Sequence, residues 1–154
     1  MKVSELMSTP ANTCRLDDDL SAAACIMWDC DCGTVPVVDG DGRCVGMITD
    51  RDIAMACYTQ NKSPREILVS SIASRALVAV KPNDDVSKAE QAMCSAQVRR
   101  VPVLGDRGEP VGVLSLNDLA RNVRRNGRDS LGPEPVATTL AAISTPRPLE
   151  SARV

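Results

Sequence analysis

Thr34-Val35-Pro36-Val37-Val38 and Gly46-Met47-Ile48-Thr49-Asp50-Arg51-Asp52-Ile53 decide how this chain is read. Sixty-six positions later, without a gap, they return as Arg100-Val101-Pro102-Val103-Leu104 and Gly112-Val113-Leu114-Ser115-Leu116-Asn117-Asp118-Leu119. Between residues 13–54 and 79–120, 13 of 42 positions are identical, Met27/Met93 and Asp18-Asp19/Asp84-Asp85 among them. Others exchange like for like, as in Arg15/Lys81, Ile48/Leu114, Thr49/Ser115 and Ile53/Leu119. The chain is a duplication, and a fold built from repeats is the first consequence.

Each copy carries the same succession of patterns. An extended piece (11–16; 76–80) precedes an Asp-rich helix start, then apolar residues at helical spacing: Leu20, Ala23, Ala24, Met27, and Val86, Ala89, Met93, Ala96. The β-branched runs around Pro36 and Pro102 read as strands. Because proline donates no hydrogen bond, they are expected at a sheet edge or along a cleft. Asp39-Gly40-Asp41-Gly42 and Gly105-Asp106-Arg107-Gly108 supply hairpin turns. Returning strands at 45–49 and 111–115 and helices at 50–60 and 116–125 complete the units. Ser63-Pro64-Arg65-Glu66 has the composition of a helix start. The boundaries expected are 1–62 and 63–125, with 126–154 a flexible tail carrying one short helix near 136–143.

Composition narrows the function. The 154 residues contain no Phe, one Trp, one Tyr and no His, so the core is aliphatic and the commonest general base and metal ligand are lacking. No nucleophile–base pair or Gly-rich phosphate loop is visible, and the chain reads as a non-enzyme. Residues 1–62 hold 5 basic and 10 acidic side chains, whereas 63–125 hold 10 and 7, so an anion is expected to prefer the second half. With no apolar leader and no membrane-length run, the seven cysteines are expected as reduced thiols in a cytoplasmic protein. Cys30-Asp31-Cys32 with nearby Cys25 also admits a thiolate metal or redox reading, but paired Cys-x2–4-Cys spacing is missing and Cys25 reads as core. The basic run 121–128 suits a helix C-terminus better than nucleic acid, lacking aromatic platforms.

The paired motifs resemble cystathionine-β-synthase (CBS) domains, and their tandem arrangement over residues 1–125 resembles a Bateman module. The resemblance implies an α/β fold: two β-α-β-β-α repeats packed as a pseudo-twofold disc with ligand clefts between them. It implies a stand-alone sensor of AMP, ADP, ATP or S-adenosylmethionine that needs no other cofactor, forms a homodimer through its helices and serves an unknown effector protein.

Physical chemistry supplies a role for each matched position. Thr49 and Ser115 stand where strand becomes helix, and unpaired N–H groups there favour phosphate. Asp52 and Asp118, one turn on, suit the two ribose hydroxyls, since hydrogen bonds to charged groups contribute about 1.5–3 kcal/mol. The same Thr/Ser-x-x-Asp spacing is also an N-cap, so both readings stand. Thr34, Val35 and Pro36, with Val101 and Pro102, resemble the segments that read the adenine edge, the valines sandwiching the base or simply filling the core. Arg99 and Arg100 offer guanidinium forks to phosphate, so a charged nucleotide is expected at the site containing Asp118 or at one into which Arg99 and Arg100 point, with the first site taking a less anionic ligand or staying empty. The alternative is a ligand-free homodimeric scaffold of the same fold, in which both acids only cap helices.

Overall fold

A computed structural model describes residues 1–73, 76–123 and 131–146. The first repeat comprises β1 (Cys14–Arg15), α1 (Leu20–Asp29), β2 (Thr34–Val38), β3 (Cys44–Thr49) and α2 (Asp50–Gln60). The second comprises α3 (Val86–Ala96), β4 (Arg100–Leu104), β5 (Pro110–Ser115) and α4 (Leu116–Val123), followed by α5 (Pro133–Ser144). The two hairpins share one register at the 66-residue offset: Val35 pairs with Ile48 and Val101 with Leu114, each with an irregularity before its last pair.

The opening strands are shorter than the sequence pattern suggests. β1 runs parallel to β2, pairing Cys14 with Val37 and Arg15 with Val38, while the second copy keeps only a Val80–Val103 bridge. Leu16 N donates to Val38 O at 3.3 Å, but the equivalent residue is Pro82, which has no N–H to continue the ladder. β2 is the central strand of its sheet rather than an edge. Pro36 is tolerated there because pairing with β1 begins one residue later, at Val37.

Asp19 and Asp85 cap α1 and α3. The Asp19 carboxylate accepts from Ser21 N (2.9 Å) and Ala22 N (3.3 Å), and Asp85 accepts from Ser87 N (3.0 Å). Ser63–Glu66 forms its capping box, yet only one 3-10 turn follows, Pro64–Glu66. Extended Ile67 ends it, because Ile67 and Val69 are buried in the first core.

Segment exchange joins the repeats. Ile67 and Val69 belong to the core of α1, β2 and β3, whereas Val3 belongs to the core of α3, β4 and β5. Val69 N donates to Asp18 O (2.9 Å) and Val3 N to Asp84 O (3.0 Å), while Lys2 bridges to Asp85 and Leu68 to Asp19. Each bond is the other shifted by 66 positions with its partners swapped, which is the signature of pseudo-twofold packing. Gly112 makes the close approach possible: a Cβ there would lie 2.9 Å from Ser8 O, whose residue bridges to Val113. Helix α5 packs on α3 and α4, adding Val136 and Ile143 to the second core. The last two residues of the helix expected over 116–125, and residues 126–130 and 147–154 of the expected tail, lie outside the described residues.

Candidate ligand cleft

Thr49 and Ser115 are the last residues of β3 and β5, and Asp52 and Asp118 lie one turn into the helices that follow. Both pairs close as capping boxes. Asp52 Oδ2 accepts from Thr49 N (2.8 Å) and Oγ1 (2.7 Å), while Thr49 Oγ1 accepts from Asp52 N (3.2 Å). At the second site Asp118 Oδ2 accepts from Ser115 N (2.8 Å) and Oγ (2.5 Å), and Ser115 Oγ from Asp118 N (3.2 Å). One carboxylate oxygen of each acid therefore serves its helix. The other differs between the sites: Asp118 Oδ1 is bound by Arg121 through a short charge-assisted contact. Asp118 is 7% exposed.

A cleft of about 230 Å³ opens beside Asp118, bounded by both repeats. The first contributes Asn12, Cys30, Asp31, Cys32, Thr34 and Pro36; the second contributes Arg100, Val113, Ser115, Asn117, Asp118 and Arg121. Thr34 is pinned by its own hydroxyl, which donates to Ile48 O at 3.0 Å. A second cleft of about 230 Å³ is bounded by Arg99, Arg100, Ser115, Leu116, Asn117 and Leu140. Arg100, Ser115 and Asn117 border both. Each volume alone falls below the roughly 300–1,000 Å³ of common ligand pockets.

The structure thus gathers Thr34, Pro36, Arg100, Ser115 and Asp118 around one space, with Arg99 around the adjoining one. It does not bring Thr49 or Asp52 to either. Val35 and Val101 are fully buried in the two aliphatic cores and have no side-chain surface to offer a base. Pro102 is also buried, and its carbonyl accepts from Val80 N at 3.1 Å. Arg121 belongs to the basic run at a helix end, and its spacing of three from Asp118 is the signal in the sequence for the pair. Asn12, Asp31 and Asn117 carried none, because only packing of the lead-in and the helix ends brings them here.

Among the described residues, no group of three or more His, Cys, Asp or Glu side chains gathers as a metal site. The seven cysteines are free. Burial pushes the Cys14 thiol up to about 11. Contrary to its expected core position, Cys25 is exposed and donates to Asp29 Oδ2 at 3.4 Å. Ala23 and Met27 face the core, and a residue midway between them points away.

Two exchanged β-α-β-β-α repeats around an interrepeat cleft match the CBS domain model over residues 3–58 and 69–125, and the chain belongs to the CBS domain family. It is 36% identical over 124 residues to CBS domain-containing protein YhcV of Bacillus subtilis strain 168, covering 80% of this chain and 86% of that protein. The CBS domain pair of MJ0100, solved with 5′-methylthioadenosine and S-adenosyl-L-methionine, superposes with a TM-score of 0.70 at 27% identity, covering 79% of this chain and 94% of that one. CBS domain protein PAE2072 of Pyrobaculum aerophilum, complexed with AMP, gives a TM-score of 0.70 at 26% identity, covering 77% and 90%. No helix among the described residues is long and apolar enough to cross a membrane.

Proposed function

We propose that this protein is a non-catalytic regulatory module that binds an adenosine-containing small molecule, such as AMP, ADP, ATP or S-adenosylmethionine, beside Asp118. The observation carrying this reading is the cleft that joins Thr34 and Pro36 of one repeat to Ser115 and Asp118 of the other. The ligands of MJ0100 and PAE2072, all adenosyl compounds, support the chemical class. In this reading Asp118 Oδ1 exchanges Arg121 for the ribose hydroxyls, and the released guanidinium joins Arg100 on phosphate or carboxylate. Asp52 remains a helix cap, so the chain binds one ligand at its second-repeat site.

Titration calorimetry and thermal melts with AMP, ADP, ATP and S-adenosylmethionine test the reading. A ligand at one hundred times its Kd raises stability by about 2.7 kcal/mol. Replacing Arg100 by Ala, which removes a charged partner, weakens binding by roughly tenfold to a hundredfold. If none of the four ligands binds, the sensor reading is wrong.

Exposed side chains favour a second property, common to the sensor and to the scaffold alternative. Trp28 on α1 is 88% exposed and Tyr58 on α2 is 81% exposed. Aromatic side chains are enriched at protein interfaces, and we assign these two to a homodimer formed through α1 and α2. An effector protein and a reducing, cytoplasmic setting for the free thiols complete the proposal.

A further inference from the structure

Helix α5 is fastened at both ends by residues that break the duplicated pattern. Leu131 N donates to Oδ1 of buried Asn122 at 2.9 Å, where the first repeat has Ala56. At the other end Gln97 Nε2 donates to Ala142 O (3.3 Å) and Thr145 O (3.1 Å). Gln97 caps α3 in the left-handed region (φ 51°), and its counterpart Asp31 holds φ 47°. The backbone conformation therefore belongs to both repeats, while the amide that grips α5 belongs only to the second. Between the fastenings Thr139 is 2% exposed, against Leu140 at 49%.

Leu140 explains why this docking bears on function. It is α5's contribution to the cleft formed by Arg99, Arg100 and the start of α4, and that cleft shares Arg100, Ser115 and Asn117 with the one beside Asp118. We propose that α5 is a ligand-coupled latch, with Leu140 as the wall through which occupancy of the cleft and docking of the helix reinforce each other. This rests on the adenosyl-ligand reading above. An adenosyl group lying across Arg100 covers the exposed half of Leu140, and burying that apolar area strengthens binding about three- to tenfold. Coupling is reciprocal, so the ligand must stabilise docked α5 by the same factor. The two states differ in whether α5 and the α3–α4 surface beneath it are covered.

Hydrogen exchange on the full chain with saturating AMP or S-adenosylmethionine, paired with calorimetry, tests the latch. Exchange across residues 133–144 slows about three- to tenfold on binding. Leu140→Ala, at a half-exposed position that leaves the fold intact, and Thr139→Arg, which displaces the helix, both lower affinity by a similar factor. If either ligand binds with α5 exchange unchanged and the Leu140→Ala affinity equal to wild type, the latch is overturned while the ligand reading stands. Absence of binding to wild type removes both.

Discussion

Asp118 and Asp52 are the same residue in two copies of one motif, and only their surroundings separate them. Each holds its capping box through Oδ2, so replacing either by Ala leaves a Ser or Thr hydroxyl and a backbone N–H without their acceptor. We expect each substitution to cost about 1 kcal/mol in urea unfolding, the size of a lost cap. Ligand affinity divides the pair: Asp118→Ala weakens binding about tenfold or more, and Asp52→Ala leaves it unchanged. Equal effects of both on affinity would show that the second acid carries no special role. Cys30 gives an independent readout, since it borders the cleft and is exposed, whereas exposed Cys25 does not border it. Bound ligand should slow alkylation of Cys30 with Cys25 as the internal control, followed by peptide mass spectrometry.

Helix starts contribute to the acid sensitivity of the fold. Asp85 caps α3, and hydrogen bonds from Ser87 N and Oγ, reinforced by the N-terminal amine, lower its pKa from 3.8 to about 2. The hydrogen bond from the Ser21 hydroxyl lowers Asp19, the equivalent cap of α1. A carboxyl whose folded pKa is depressed contributes stability above its unfolded value and loses it as pH falls through the folded one. Melting temperature should therefore drop between pH 3.8 and about 2, and less steeply in Asp85→Asn than in wild type. A parallel pH profile for the variant would remove this cap from the account. Element ends also limit what patterns reveal: Ser63–Glu66 has every feature of a helix start, yet burial of Ile67 stops it after one turn.

Across the whole molecule the pseudo-symmetry is broken on one face. Helix α5 covers α3 and α4, while α1 and α2 leave Trp28 and Tyr58 to solvent. A homodimer on the open face predicts sedimentation at twice the 16.4 kDa chain mass. Trp28→Glu should return the protein to the mass of a single chain, because a charge cannot be buried there without a partner. Trp28 is the sole tryptophan, so its emission should shift to the blue as concentration drives association. Emission independent of concentration, with wild type sedimenting as one chain, would leave this face unassigned.

The hairpin turns, the core positions of α1 and α3 apart from Cys25, and the Thr/Ser-x-x-Asp boxes were legible from residue order because each is set by neighbours within a few positions, and the duplication because both copies keep one offset. Side-chain periodicity and capping chemistry are local, and a 66-residue offset between copies leaves little freedom in how they are read. Local pattern left open whether Val35 and Val101 fill the cores or line a cleft, and it did not reveal that Val3 and Val69 would change partners or that α5 would dock through Gln97 and Asn122. Those outcomes depend on contacts between segments far apart in the chain, where burial of apolar area decides which surfaces meet. The two matched acids show the division: identical spacing makes both capping boxes, and the packing of the other repeat bounds a cleft beside Asp118.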